Sequence, residues 1–164
     1  MRLPTSRVTP MSAPRWSELL HVIRDTIVAL DLPEIAAANV VVQKVASDRP
    51  RELPTQRRPA VLIAPHGAER IDPAAGTNLR DQIVYPVLVA IVAADSPEPS
   101  DRFELFSLWR DRLRTTFHLT RFESLDCFRV EVEPLDLVDR ELWSQRQLWF
   151  SRILLRCFTR TLRD

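Results

Sequence analysis

The chain has 164 residues, 45% of them hydrophobic and 27% charged, a length and composition suited to one domain around one core. Its 23 basic and 22 acidic residues leave a formal net charge of +1, which excludes a whole-molecule field drawing it onto nucleic acid or an anionic membrane. With only two glycines, Gly67 and Gly76, no phosphate-cradling loop of the P-loop or dinucleotide type can be written, and no apolar run approaches the roughly eighteen residues of a membrane span.

In chain order, Met1–Pro10 carries prolines and arginines instead of the apolar stretch of a secretory signal, and residues 1–14 are expected to form a flexible tail. Residues 15–164 are expected to form a single α+β domain. Trp16, Leu19, Leu20, Ile23, Ile27 and Leu30 recur at helical spacing, so Ser17–Leu30 reads as an amphipathic helix with Ser17 as N-cap. Pro33 ends it, and a short helical turn over Pro33–Ala38 follows. Val40–Val45 is β-branched and reads as a strand. Ala46–Pro59 holds Pro50, Pro54 and Pro59 among four arginines, Arg49, Arg51, Arg57 and Arg58, and is expected to be a long loop. Ala60–Ala64 and Gln82–Ala94 read as strands able to pair antiparallel across a turn-rich Asp72–Asn78. Pro86, lacking an N–H, is expected at a bulge or on an edge.

Asp101–Phe117 is the strongest helix, with Phe103, Phe106, Trp109, Leu113 and Phe117 on one face and Arg110, Asp111 and Arg114 on the other. Phe128, Val130 and Val132 alternate with Arg129, Glu131 and Glu133 as a strand with one wet face. The last strand, Leu148–Thr161, puts Trp149, Ile153, Leu155 and Cys157 on one face. Phe150, Arg152, Leu154, Arg156, Phe158 and Arg160 fall on the other, an arginine–aromatic mixture of the kind enriched where proteins meet. The order of elements predicts a mainly antiparallel sheet of four to five strands with two principal helices on one face.

Residues suited to chemistry are few. Cys127 and Cys157 lack C-x-x-C spacing and read as small buried apolar residues in reducing surroundings; their spacing does not decide whether they are bonded. His21, His66 and His118 lack metal-ligand spacing. His66 with Glu69 is the most site-like cluster, an imidazole near a carboxylate, but neither a nucleophile nor an oxyanion motif lies beside it, and a polar turn is the plainer reading. The acidic groups at Asp95, Glu98 and Asp101, and at Asp136, Asp139 and Glu141, read as solvated loop charge, the second with the alternative of facing a neighbouring subunit's arginines. The arginine loop lacks aromatic residues for stacking bases, which argues against a nucleic-acid site.

The opening helix Ser17–Leu30, the phrase Arg58-Pro-Ala-Val-Leu-Ile, then Tyr85-Pro-Val-Leu-Val-Ala-Ile-Val, a helix with Trp109 and Arg110, and a closing strand Leu148–Thr161 together carry a resemblance. From Trp16 to Arg160 the chain resembles the small tail-terminator and tail-completion proteins of tailed bacteriophages and related contractile particles. The resemblance implies a ring, commonly a hexamer, capping the head-proximal end of a tail tube, with the chain itself, the tail tube protein and neck or head–tail connector proteins as partners. It implies assembly in the bacterial cytoplasm and a place in the virion tail or neck, with no catalytic residue, cofactor, metal, membrane or specific nucleic-acid partner. Interface positions are expected at Arg49, Arg51, Arg57 and Arg58 of the loop and at Phe150, Arg152, Arg156, Phe158 and Arg160 of the last strand. The alternatives are another neck or minor tail component, or, from a different class, a small hydrolase, nuclease or nucleic-acid-binding module using His66, Glu69 and the arginine loop.

Overall fold

A computed structural model describes residues 15–46, 58–77, 79–96 and 102–162. The element order is α1 (Arg15–Ala29), a 3-10 turn (Ala37–Asn39), β1 (Val40–Val42), β2 (Ala60–Pro65), β3 (Arg70–Thr77) and β4 (Arg80–Ala94). Then come α2 (Arg102–Phe117), a 3-10 turn (Glu123–Leu125), β5 (Cys127–Pro134), α3 (Arg140–Arg146) and β6 (Leu148–Leu162). The fold is α+β, as the element order predicts. Among the described residues one sheet of six strands forms, in the order β1-β2-β4-β6-β5 with β3 on β4. It is mixed: β1 runs parallel to β2, and every other pair is antiparallel. No helix among the described residues is long and apolar enough to cross a membrane.

Two layers of apolar packing follow from the two-residue period of the strands. On one face, Val87, Val89 and Ile91 of β4 and Ile153 and Leu155 of β6 meet Leu19, Ile23 and Ile27 of α1 and Phe106, Trp109 and Leu113 of α2. Trp109 is fully buried, and its Nε1 donates to Pro33 O at 2.8 Å, tying α2 to the link after α1. On the other face, Phe150, Ala90, Val92, Ala60 and Leu62 pack under Leu142 of α3. β4 and β6, each fifteen residues long, pair without a break and form the spine of the sheet.

Several sequence expectations are corrected here. α1 starts at Arg15, so Ser17 lies inside the helix and is not its N-cap. Arg70–Thr77 is a strand and not a turn-rich loop, because β4 extends to Arg80 and offers it a paired edge despite Pro73 and Gly76. Pro86 occupies neither an edge strand nor a bulge. It sits in β4 where the partner changes: Val87 pairs with Pro65 of β2, and Val84 pairs with Arg70 of β3. The Pro86 carbonyl accepts from the His66 N–H at 2.9 Å on that side, so its missing N–H faces the seam and costs β6 nothing.

α3 was not expected. Asp139, read as a loop acid, is its N-cap and accepts from the Leu142 N–H at 3.0 Å, while Asp95 accepts from Trp143 Nε1 at 2.8 Å. The alternation in β5 is also broken. The register shifts between Cys127 and Arg129, so Cys127 and Val130 both reach the main core while Phe128 pairs with Phe158 outside it.

Candidate interface on the outer sheet face

The outer face of β5 and β6, away from α1 and α2, carries the strip in which sequence composition points to an interface. Glu131 lies opposite Arg156 and Arg129 opposite Phe158 in the register of the two strands. The charges there are already matched within the chain. Arg156 pairs with Glu133, Arg152 pairs with Asp136, and Arg129 lies 3.1 Å from Glu131.

Two guanidiniums also stack on rings: Arg129 lies 4.4 Å from the Phe158 centroid and Arg160 lies 4.5 Å from that of Phe128. The two rings are 6.3 Å apart. Exposed ion pairs contribute about 0–1 kcal/mol each and exposed cation–π pairs about 0.5–1 kcal/mol, so these contacts add little to folding and instead hold long side chains in one arrangement. A surface ordered in advance loses less side-chain entropy when a partner docks on it.

The expected interface residues do not all gather there. Arg152, Arg156, Phe158 and Arg160 lie on the strip. Phe150 does not serve as a surface contact: it is fully buried beneath Leu142, because α3 folds over that end of the strand. Arg58 precedes β2, and β4 separates β2 from β6, so Arg58 stands apart from the strip. Arg49, Arg51 and Arg57 lie outside the described residues. Asp136, considered for a neighbour's arginines, pairs with Arg152 of its own chain.

Arg110, assigned by helical spacing to the wet face of α2, is a structural pin. Its guanidinium donates to Ser151 Oγ at 2.6 Å, Arg152 O at 2.9 Å, Asp136 O at 3.1 Å and Leu135 O at 2.8 Å. Burial lowers its pKa from the ordinary value, while the charges of Asp111 and Asp136 act in the opposite sense. By holding the β5–α3 link against β6, it places Asp136 for Arg152. Its signal in the sequence is only that it borders Trp109.

His66 and Glu69 are not brought together as an acid–base pair. Glu69 accepts from Trp16 Nε1 at 3.1 Å, and that bond, then its own backbone, hold its carboxyl below the ordinary value. Trp16 packs edge-on against Tyr85 at 5.0 Å, and the Tyr85 phenol is raised by burial and by the charge of Glu69. Cys127 and Cys157 are free, buried thiols on adjacent strands. The hydrogen bond between them holds Cys127 below the ordinary thiol value and pushes Cys157 well above it. Among the described residues no group of three histidine, cysteine or acidic side chains could hold a metal ion.

No protein-family model matches this chain, and a search of curated proteins finds no match.

Proposed function

We propose that the chain is a structural assembly protein, a ring-forming tail-terminator-like subunit that caps the head-proximal end of a tail tube and joins it to the neck. The observation that carries this reading is the strip on β5 and β6, with its stacked guanidiniums and matched charges on an open sheet face. A heterologous contact that closes into a ring stops further growth by geometry, without catalysis. The strip offers one patterned surface for such a contact, and its alternating charges favour one docking register over others.

The test is tube assembly. Tail-tube protein of the same particle is polymerised with and without the chain, and tube lengths are measured by negative-stain microscopy. The expected result is tubes of limited length carrying a ring at one end, with that effect lost in R129E/R156E. Tubes of unchanged length without end density would contradict the reading. The hydrolase or nuclease reading is less well supported, because Glu69 is engaged by Trp16 and not by His66.

A further inference from the structure

The bulge in β5 also decides where Cys127 lies. With one residue inserted between Cys127 and Arg129, Cys127 reaches the same core as Val130, and Val130 lies opposite Cys157 of β6. The two free thiols are therefore diagonal neighbours on one face of adjacent strands, Cys127 opposite Thr159 and Cys157 opposite Val130. They are in contact: Cys157 donates its S–H to Cys127 Sγ, and Cys127 donates to Arg129 O at 3.6 Å.

The pair is asymmetric in chemistry and in access. The hydrogen bond from Cys157 holds the Cys127 thiol below its ordinary value in spite of burial, and the Arg15 charge acts in the same sense, so Cys127 supplies thiolate more readily. The same bond, together with burial, pushes Cys157 well above the ordinary value and keeps it protonated. Cys157 is sealed in the core, whereas Cys127, itself only 1% exposed, borders a groove of about 660 Å3 whose wall includes Arg15, Arg121 and Phe128. Cys127 is also the first residue of an edge strand, held on its outer side by two backbone hydrogen bonds with Phe122 across the turn Glu123–Leu125. A strand end of this kind opens without global unfolding, and that opening brings the thiol to solvent.

We propose that Cys127 and Cys157 form a peroxide-oxidised thiol pair, in which Cys127 reacts first and Cys157 then closes an intrachain disulfide between β5 and β6. The Cys127 thiolate attacks one oxygen of hydrogen peroxide and the O–O bond breaks. Hydroxide leaves and takes up the proton that the thiol released, giving water and a sulfenic acid on Cys127. The Cys157 sulfur then attacks the Cys127 sulfur: the S–S bond forms, the S–O bond breaks, and the departing hydroxide takes the Cys157 proton as a second water. The two thiols lose two electrons in all, and the peroxide gains them. A disulfide needs closer Cβ atoms than a diagonal pair ordinarily has, so β5 must shift at its start, where the register already slips and the strand ends. The bond pins the bulge that sets Phe128 and Arg129 against Phe158 on the outer strip. This inference stands apart from the tail-tube reading, and its failure would leave that reading intact.

The experiment treats the folded, reduced full chain with hydrogen peroxide at neutral pH and follows its intact mass, with free thiols counted in urea after the oxidant is removed. C127A and C157A, which keep the site apolar, are compared with the wild type, and circular dichroism checks their fold. The expected result is a wild type that loses both thiols together and about two mass units, reversed by dithiothreitol. C157A should stop at a sulfenic acid on Cys127, about sixteen mass units heavier and trapped by dimedone. The thiol left in C127A should react about tenfold more slowly than the one left in C157A. Wild-type thiols that react only in urea, or oxygen added to the sulfurs without a disulfide, would overturn the proposal. So would a disulfide linking two chains, or C127A oxidised as fast as C157A. If a variant fails to fold, the wild-type mass decides the question by itself.

Discussion

Arg110 shows how one side chain can set the geometry of a surface it does not belong to. Its four hydrogen bonds satisfy Ser151 Oγ and three main-chain carbonyls between α2, β6 and the segment before α3. Removing the guanidinium takes the donor from Leu135 O and Ser151 Oγ, while Arg152 O and Asp136 O still accept from the Leu135 and Arg152 N–H groups, and Arg110→Met is expected to destabilise the fold by about 2 kcal/mol in urea unfolding. A change of under about 0.5 kcal/mol, the range of ordinary surface substitutions, would show that water replaces the guanidinium. Glu69 and Tyr85 give opposite pH signatures. Folding favours the Glu69 carboxylate, so its contribution is complete above pH about 4.5 and is lost as pH falls through the lower folded value. Folding favours the neutral Tyr85 phenol, so that contribution is present below pH about 10 and is lost as pH rises through the higher folded value. Unfolding midpoints measured across pH should show a shallower acid-side fall in Glu69→Gln and a shallower alkaline fall in Tyr85→Phe; slopes equal to the wild type would refute these assignments.

At the scale of elements, long amphipathic segments were readable and short ones were not. α2 could be read because Phe106, Trp109, Leu113 and Phe117 repeat over about three turns, and all four are buried. α3 could not, because its seven residues give only two turns, too few for a period to emerge, and its start is marked by Asp139 alone. Asp139→Ala removes that cap and is expected to cost about 1 kcal/mol, with faster amide exchange across residues 140–146. Exchange unchanged there would show that Leu142 packing alone holds the helix. The same gap explains Phe150: strand alternation placed it correctly on the outer face, but the helix that covers it was invisible. Phe128 was misread for another reason, since one extra residue in β5 reverses the alternation before it and no residue type marks the bulge. β3 was hidden by Pro73 and Gly76, residues whose usual place is a turn. The arginine–aromatic character of the β6 strip was legible from Arg156, Phe158 and Arg160 alone. Its internal partners, Glu133 and Arg129, required the register of β5.

Across the whole molecule, the sheet separates two kinds of surface. One face is sealed by α1 and α2 over the main core. The other is sealed by α3 at one end and left as an ordered, charged strip at the other. A groove lined by Arg80, Arg121 and Arg160 together with acidic residues adjoins that strip at the ends of β4 and β6 and shares Arg160 and Phe128 with it. This division leaves exposed surface that does not draw on the residues holding the core together, as the proposed assembly role would require. Charge reversal on the strip should therefore alter association and leave folding nearly unchanged. The most direct measurement is the solution mass of the full chain by light scattering coupled to size exclusion, over a range of concentrations, alone and with tail tubes, for the wild type and R129E/R156E. The account predicts a closed ring for the wild type, alone or once tubes are present, and a folded single chain for the variant. A wild type that stays a single chain in every condition would contradict it.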